Sequence, residues 1–481
     1  MKETRLKKNL ALQILYEFAV LIVPLVTTPY ISKVLGPTLI GENSYMVTIC
    51  NYFIIFAMLG LNNFGSRTIS RIKYNQEELD KSFSSIFYSH LFISIIVLLS
   101  YFLFLIFFSS DVKNLYYIGI LYILSSLLDI NWFFWGIEKF NITIIRNLII
   151  KIVSIFFVFG FVRNQNDLWI YALILALSLF LSNISLWFIV PKYARFVKVP
   201  LQMIFTNFKG LLILFIPVIA VSVYRYMDKL MLGLLSTKTE VGFYEQTEKL
   251  INMGVGLVTA IGTVMLPRCS ALFSEGKDDS AIQLIRTSNF FSGFASIAIS
   301  AGLISVSKSL ANVYLGNGFE SCASLITCLS ITIPIMAYAN VIRTHYLVPK
   351  NMDFAFLLSA ILGAVTNVIL NIILIPIYGA LGAIFGTIGA EFVVLLVQII
   401  SVWHKLPILA MALEYVPFLF IGLIMILVNY FLFNSMSFSW KRLLFEILTG
   451  ASVYLFLSLI FSLLFRKKYF KQLLKKRSLK N

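Results

Sequence analysis

Fourteen apolar stretches, each long enough to cross a lipid bilayer, follow one another along the chain and constrain its fold more than any other feature. A helix needs about 20 apolar residues to span the hydrocarbon core, and backbone groups inside a bilayer must be hydrogen-bonded within the segment itself. The pattern therefore predicts an all-α polytopic membrane protein. The predicted helices are 10–32, 42–62, 82–108, 115–137, 144–162, 168–190, 210–235, 241–266, 285–307, 321–347, 354–376, 380–403, 412–434 and 441–465.

The composition excludes a soluble enzyme. Of the 481 residues, 59% are hydrophobic and 13% are charged, whereas soluble domains contain about 25% charged residues. Fourteen spans of about 22 residues leave roughly a dozen residues for each connection. No connection can therefore hold a soluble catalytic domain.

The distribution of Lys and Arg predicts the orientation. If the N-terminus is cytoplasmic, 26 of the 39 cations fall in the inside segments and four fall in the outside loops. Cytoplasmic loops carry an excess of Lys and Arg, so both termini are predicted to be cytoplasmic. The apolar run at 10–31 is too long for the core of a signal peptide and lacks a small-residue cleavage site, so we expect an uncleaved first span.

The last sixteen residues, 466–481, contain eight cations and no acid. This tail is predicted to lie on anionic membrane lipids. It is too short to form a folded basic module, so nucleic acid is not expected as a partner.

Two short strings suggest an internal repeat. Lys33 precedes Gly36 and Tyr45 in the first, and Lys229 precedes Gly233 and a further tyrosine in the second. Six predicted helices separate the copies, as a parallel two-lobed transporter requires. Chance similarity between short Leu- and Gly-rich strings is the alternative.

Longer strings are distributed over most of the chain. They are Pro29-Tyr-Ile-Ser-Lys-Val-Leu-Gly-Pro37 with Gly41 and Tyr45, Asn131-Trp-Phe-Phe-Trp-Gly-Ile-Glu-Lys-Phe140 with Arg146-Asn147, Tyr226-Met-Asp-Lys-Leu-Met-Leu-Gly233 with Val241-Gly-Phe-Tyr244 and Glu248-Lys-Leu250, and Tyr378-Gly-Ala-Leu-Gly-Ala383 with Glu391. Together these strings resemble the Wzx-type polysaccharide flippases of the MATE-like superfamily. Each string alone is only moderately specific, and their order and spacing carry the match.

The resemblance implies a V-shaped bundle of two six-helix lobes around an aqueous cavity. The expected parts are an N-terminal lobe at 1–200, a C-terminal lobe at 201–405, two extra helices at 406–465 and the basic tail at 466–481. It also implies a transporter rather than an enzyme, which translocates undecaprenyl-diphosphate-linked oligosaccharide repeat units across the bacterial cytoplasmic membrane. The products would be surface polysaccharides such as O-antigen, capsule or exopolysaccharide, and a polysaccharide polymerase and other assembly proteins are the implied partners.

Ionisable residues inside the apolar spans are the candidate site, because each costs about 2.5–3.5 kcal/mol at a helix centre. Arg225, Asp228 and Lys229 lie at i, i+3 and i+4 and so share one helix face. One interpretation is that the surplus positive charge binds the diphosphate of a lipid-linked sugar. The other is a structural ion pair near the outer end, with Lys229 extending to the interface.

Further ionisable residues are predicted to line the cavity. Three more cations are candidates for diphosphate binding, Lys151, Arg343 and Arg146, and Arg146 could instead extend to the cytoplasmic headgroups. The carboxylates are Glu17, Glu391, Asp129 and Asp228; they face the cavity in this interpretation, where they could couple transport to a proton or a sodium ion. Glu245 and Lys249 are predicted to form an i, i+4 pair.

Two local patterns predict backbone features. The small residues between Gly379 and Gly389 recur every three or four positions and indicate close helix packing. Pro24 and Pro217 are predicted to bend their helices at equivalent places.

The three histidines and four cysteines have no metal-binding spacing, and no cofactor is expected. A cation-coupled drug exporter of MATE type is the alternative function, and it would depend on acidic residues in an apolar pocket. A membrane glycan polymerase is a further alternative, which the short outside loops disfavour.

Overall fold

The computed structural model describes residues 2–107 and 113–465. Their side chains are described from residue 23 onward, except those at 113, 217, 220, 221, 223–225, 261, 263, 264 and 465. The described residues are mainly helical and include no β-strand, which confirms the prediction of an all-α protein. The basic tail at 466–481 lies outside the described residues.

The chain divides into two compact units, Met1–Gly233 and Leu234–Asn481. The α-helices of the first unit are α1 (Lys2–Met58), α2 (Leu61–Ile72), α3 (Gln76–Phe107), α4 (Lys113–Leu127), α5 (Asn131–Gly136), α6 (Phe140–Phe161), α7 (Leu168–Trp187) and nearly all of α8 (Leu201–Leu235). Those of the second unit are α9 (Lys238–Ser274), α10 (Asp278–Ser309), α11 (Cys322–Ser330), α12 (Thr332–Ile342), α13 (Asp353–Tyr378), α14 (Ala380–Val402), α15 (Ile408–Leu413), α16 (Val416–Phe433) and α17 (Trp440–Phe465). Short 3₁₀ and π-helical segments occupy Gln165–Asp167, Val190–Lys192, Leu310–Leu315 and Arg343–Leu347.

Each of the fourteen predicted helices falls on helical backbone, but the boundaries differ in instructive ways. Within the described residues, twelve helical stretches are long and apolar enough to cross a bilayer. Predicted helices 1 and 2 are continuous in α1, where Gly36 is the non-helical residue, with φ 73°. Glycine adopts this conformation without the strain that a side chain would impose, so a single residue replaces the predicted loop.

The non-helical residue of α1 is this glycine, and a bend at Pro24 stays a prediction. Pro24 and Pro29 lie inside the same helix and are not its non-helical point. Pro37 follows Gly36 and occupies the start of the second half of α1, where proline's missing N–H leaves no extra unpaired group.

The sequence did not predict α2, which occupies much of the polar connection after the second span. It begins after Gly60, whose φ of 74° ends α1. Leu61 and Ile69 are buried, whereas Arg67 and Arg71 are exposed. A helix of 12 residues with one narrow apolar face has too little hydrophobicity for a span, so it escapes detection by apolar length.

The apolar side chains of both units face outward to an unusual degree. Phe107, Ile400 and Phe431 are exposed by 82%, 74% and 76%, and many other large apolar residues on the long helices are exposed by more than 40%. A soluble protein rarely exposes a continuous apolar surface of this kind. The exposure is consistent with helices surrounded by lipid.

Polar contacts, partly or fully buried, join α10 to α17 and to Glu414, which lies two residues before α16. Arg286 Nη2 of α10 donates to Glu414 Oε1 at 2.9 Å, and Asn289 Nδ2 donates to Glu414 Oε2 at 3.1 Å. The Tyr454 hydroxyl of α17 donates to the carbonyl of Phe294 at 2.8 Å. The two predicted extra helices, α16 and α17, are therefore part of the core of the second unit.

Candidate functional site

A partly buried polar network surrounds the break between α4 and α5 in the first unit. The Asn131 backbone and side-chain amides donate to Asp129 Oδ1 at 2.8 and 2.7 Å. Arg146 Nη2 of α6 donates to Asn131 Oδ1 at 3.0 Å and to Asn147 Oδ1 at 2.7 Å. The same network reaches α7, because Asn131 Nδ2 also donates to Asn183 Oδ1 at 3.2 Å.

This network places two of the predicted site residues together, Asp129 and Arg146. Arg146 is 9% exposed, and its guanidinium is held by amide oxygens on both sides. Hydrogen bonds from one guanidinium nitrogen to two amide oxygens restrict the orientation of the guanidinium. The network orders the junction of three helices, and any anion that Arg146 binds must share it with these amides.

The sequence does not single out these amides, because Asn183 lies inside an apolar span and Asn147 inside one of the strings that carry the family resemblance. A signal was present: an asparagine inside a span must find hydrogen bonds from a neighbouring helix, as the Asn183 amide does with the Ser125 carbonyl at 2.9 Å. Which helix supplies the partner could not be read from one sequence.

Lys151 lies five residues beyond Arg146 on α6 and is half-buried. Its backbone carbonyl accepts a hydrogen bond from Ser154. No hydrogen bond or ion pair of the described residues involves its ammonium. Lys151 therefore differs from Arg146, whose charge already has polar neighbours.

Asp228 and Lys229 lie on α8, beside aromatic side chains of α1. Asp228 is 6% exposed and Lys229 is half-buried, and both make polar or electrostatic contacts. Tyr52 of α1 packs edge-on against Tyr226, with ring centroids 6.3 Å apart. The side chain of Arg225, the third member of the predicted face, lies outside the described residues, as does that of Glu17.

α8 also approaches α1 near the C-terminal end of α8. A Cβ atom added at Gly233 would collide with the ring of Tyr45. Both residues belong to the strings that suggested an internal repeat, and their contact holds α8 within the first unit. Only a residue without a side chain permits this approach.

In the second unit, Arg343 begins a π-helical turn and is half-buried. Its Nη2 atom donates to Asn340 Oδ1 at 2.7 Å, and its guanidinium carbon lies 5.7 Å from the centroid of the Phe356 ring. Single π-helical turns are frequent at functional positions. The turn was not predicted, because it leaves no signature in hydropathy.

Glu391 of α14 is buried, at 5% exposure, and takes part in a polar contact. Thr387, one turn earlier, lies 3.4 Å from the Tyr244 hydroxyl of α9. On α13, Asn371 Nδ2 donates to Asn367 Oδ1 at 3.2 Å. A polar seam thus runs through the apolar helices of the second unit.

The small residues of α14 permit this seam, as the sequence predicted. A Cβ atom added at Gly386 would collide with Asn371, and one at Gly382 would collide with the backbone of Leu374. Close packing of α13 and α14 is therefore confirmed. The predicted pair of Glu245 and Lys249 is also confirmed, at 3.0 Å.

Within the described residues, no group of three or more His, Cys, Asp and Glu side chains is placed to hold a metal ion. The predicted cations and carboxylates instead lie on several helices of each unit. What they can do chemically is bind anions and exchange protons or small cations.

Comparison with known proteins gives a consistent result. A family model described as "Polysaccharide biosynthesis protein" matches residues 6–273. A Shigella dysenteriae protein described as "Putative O-antigen transporter" is 24% identical over 403 residues, covering 82% of this chain and 100% of that protein.

Two groups of solved structures share the fold. The lipid II flippase MurJ in an inward closed conformation superposes with a TM-score of 0.76 at 19% identity, covering 93% of this chain and 99% of that chain. An inward-facing multidrug resistance MATE family transporter of the MOP superfamily superposes with a TM-score of 0.55 at 14% identity, covering 82% of this chain and 99% of that chain.

Proposed function

Because the chain belongs to the polysaccharide biosynthesis protein family, we propose that it translocates undecaprenyl-diphosphate-linked oligosaccharide repeat units across the bacterial cytoplasmic membrane. The translocated units would supply a surface polysaccharide such as O-antigen, capsule or exopolysaccharide. A polymerase that consumes the flipped units is the proposed partner, and both termini are proposed to be cytoplasmic.

The family membership confirms the resemblance seen in the sequence. The similar proteins are named as transporters and flippases, so the prediction of a transporter rather than an enzyme is confirmed. The long apolar helices make the chain a multi-pass membrane protein, and its fold is that of the MurJ and MATE transporters.

The observation that supports the substrate most strongly is Lys151. An ammonium in an apolar span costs about 2.5–3.5 kcal/mol on insertion scales, and the described residues give this one no ion pair. A diphosphate would supply the negative charge and the acceptor oxygen atoms with which the Lys151 ammonium could pair. Drug export by a cation-coupled carrier does not by itself require a buried cation.

In the proposed mechanism the protein makes and breaks no covalent bond. The polyprenyl tail stays in lipid while the sugar crosses in water. The diphosphate is held by Lys151, with Lys229, Arg225, Arg343 and Arg146 as further anion-binding groups. Lys contributes a point charge and Arg a planar fork that can bind two oxygens.

The carboxylates have a separate proposed role. Asp228 and Glu391 are buried, and protonation or cation binding would change the cost of burying each of them. With Glu17 and Asp129, they are the proposed coupling groups for a proton or a sodium ion.

The function is tested by deleting the gene in its host. We expect lipid-linked repeat units to accumulate on the inner leaflet and surface polysaccharide to disappear, with recovery when the gene is supplied again. Normal surface polysaccharide in a deletion strain that has no second flippase would contradict the proposal.

The site is tested by supplying Lys151→Gln to the deletion strain. We expect at least about a tenfold loss of surface polysaccharide, because one ionic contact to a phosphate contributes about 1.5–3 kcal/mol. Lys151→Arg should retain much more activity than Lys151→Gln. Lys249→Gln is the matched control, since Lys249 is already paired with Glu245; full activity of Lys151→Gln at normal membrane abundance would contradict the role.

The second candidate function is a cation-coupled exporter. Buried Glu391 and Asp228 are the observation that favours it. Export of a cationic dye by the purified chain in vesicles, lost in Glu391→Gln and unaffected by Lys151→Gln, would select this function over the first.

A further inference from the structure

The connection between α7 and α8, residues 190–200, is an ordered strap that lies along α3. After a 3₁₀ turn it has no regular secondary structure, yet its backbone is held by α3 side chains. The Arg195 amide donates to Asp80 Oδ1 at 2.9 Å, and the Val197 amide donates to Ser84 Oγ at 3.0 Å. The strap is therefore fixed in one conformation.

Aromatic packing fixes the strap as well. The Phe196 ring stacks on Trp187, with centroids 6.0 Å apart and planes 4° apart, and lies 5.2 Å from the Phe83 ring. Tyr193 accepts a hydrogen bond on its carbonyl from the Gln76 side chain at 3.0 Å. These contacts join the strap to α3 and to the end of α7.

Three cations of the strap, Lys192, Arg195 and Lys198, are exposed. None of the ion pairs or side-chain hydrogen bonds of the described residues involves their charged ends. Because the backbone is already ordered, an anion that binds them avoids most of the entropic cost of ordering a loop.

A further cation adjoins the strap. Lys139 lies with its ammonium 5.7 Å from the centroid of the Tyr193 ring, so the α5–α6 turn meets the strap. We call the three cations of the strap together with Lys139 the cationic face: Lys139, Lys192, Arg195 and Lys198. Gln76, which bonds the strap, begins α3 four residues after the end of α2, and α2 carries two more exposed cations, Arg67 and Arg71.

The acids of the same region do not neutralise the cationic face. Segments 61–81, 138–139 and 190–198 contain eight Lys and Arg against four Asp and Glu. Two of the four acids pair with other lysines, at 2.6 Å in both cases, and Asp80 accepts the strap's backbone amide. Glu78 alone remains exposed without an ion pair in the described part.

Large apolar residues that flank the strap are exposed as well. Phe188 at the end of α7 is 79% exposed, Leu201 at the start of α8 is 71% exposed, and Phe205 one turn later is 58% exposed. Neighbouring exposed apolar and cationic residues are typical of segments that lie at the boundary of headgroups and acyl chains.

We propose that the cationic face binds the headgroup phosphates of anionic phospholipids, with Lys192, Arg195 and Lys198 as the main contacts and Phe188 and Leu201 inserted beneath the headgroups. The charge excess, the ordered strap and the flanking apolar residues are complementary to an anionic lipid surface. The leaflet is the cytoplasmic one in the predicted orientation, where anionic lipids attract Lys and Arg by about 1 kcal/mol each. This binding is independent of the transported substrate.

The test uses the full chain purified in detergent and titrated with phosphatidylglycerol or phosphatidylcholine, with bound lipids counted by native mass spectrometry. The variant is Lys192→Gln/Arg195→Gln/Lys198→Gln. The matched control is Arg268→Gln/Lys277→Gln/Lys405→Gln, which removes three cations from the second unit. All three chains keep the basic tail.

We expect the strap variant to bind phosphatidylglycerol at least about tenfold more weakly than the parent, with phosphatidylcholine binding unchanged, whereas the control keeps most of its affinity. Equal losses in variant and control would overturn the proposal, since they would mean that only total charge matters. If the strap variant does not fold, Lys192→Arg/Lys198→Arg, which keeps the charge, must bind phosphatidylglycerol like the parent.

A second arm separates membrane lipid from substrate. Undecaprenyl diphosphate is added in excess to the complex with phosphatidylglycerol. We expect the strap-dependent phosphatidylglycerol to remain bound; its displacement would overturn the proposal and make the strap part of the substrate pathway. The outcome for the Lys151→Gln transport test is independent of both arms, so the two proposals can fail separately.

Discussion

Each unit contains the same backbone turn, but the segments around the turn carry different charges in the two units. In the first unit, Glu138 has φ 59° and the Lys139 amide donates to the carbonyl five residues earlier at 2.9 Å. In the second unit, Asn351 has φ 54° and the Met352 amide makes the same bond at 2.9 Å. Both turns end a helix with one left-handed residue.

An ion pair joins each turn to the neighbouring helix connection, with opposite polarity. In the first unit, Lys73 contributes the ammonium and Glu138 the carboxylate, at 2.6 Å. In the second, Asp278 contributes the carboxylate and Lys350 the ammonium, at 2.8 Å. Both units therefore have the backbone turn and an ion pair beside it. The turn carries the negative partner in the first unit and the positive partner in the second.

The consequence is a difference in residual charge. Segments 268–286, 348–353 and 403–414 of the second unit contain five Lys and Arg against five Asp and Glu, whereas the equivalent part of the first unit has twice as many cations as acids. Two turns with the same backbone conformation can thus lie in surfaces of different net charge. Of these two sets of segments, only the one in the first unit has a charge excess that an anionic surface would bind.

The largest expected effect comes from removing Glu414, a buried acid of the second unit. Glu414→Gln should lower the free energy of unfolding by about 3 kcal/mol, because Arg286 and Asn289 lose a carboxylate that is 1% exposed. Thermal unfolding in detergent measures it. Glu275→Gln, which breaks an exposed pair, is the control and should change stability little; equal effects would mean that burial of Glu414 is unimportant.

The first unit holds its buried charge with amides, so the matching change there should cost less. Asn131→Ala should lower the free energy of unfolding by about 2 kcal/mol, because Asp129 and Arg146 each lose a hydrogen bond. The same unfolding measurement applies. A loss as large as that of Glu414→Gln would show that the amide network is as stabilising as the ion pair.

The shared turn can be tested directly at Asn351. Asn351→Ala should cost about 1 kcal/mol, since alanine tolerates the left-handed conformation less well than asparagine. Asn351→Gly should be neutral or slightly stabilising. If alanine and glycine have the same stability, the turn does not depend on positive φ in the way that both units suggest.

The smallest effect is expected from exchanging the polarity of the first unit's ion pair. Lys73→Glu/Glu138→Lys should unfold close to the parent's temperature, and Lys73→Glu alone slightly below it, because exposed pairs contribute little. The hydrogen bond to Glu138 raises the pKa of Lys73, so the contribution is present at neutral pH and is lost as the pH rises through the pKa of Lys73 in the folded protein. If the double variant is less stable than Lys73→Glu alone, the positive and negative partners of this pair cannot be exchanged.

The helical spans could be predicted from the sequence because length and hydropathy alone define them. The kink at Gly36, the short helix α2 and the π-helical turn at Arg343 could not, since each depends on a local conformation that hydropathy does not record. The pair of Glu245 and Lys249 was predictable because both residues lie on one helix.

The site residues divide in the same way. Arg146, Lys151 and Glu391 could be identified as ionisable residues inside apolar spans, but their surroundings could not. The partners of Arg146 lie on α5 and α6, and the network continues to α7. Contacts between helices distant in sequence arise from tertiary packing, which no spacing rule within one helix can supply.

The fastening of α10 to Glu414 also has a consequence for synthesis. Asn289 and Glu414 are 125 residues apart, which a ribosome working at about 5–20 residues per second needs roughly 6–25 s to translate. During that time the side chains of Asn289 and Arg286 are already synthesised, but their partner Glu414 has not yet been translated. Completion of the second unit is thus set by the emergence of its last helices, and a stalled or truncated chain would expose these two groups to quality-control machinery.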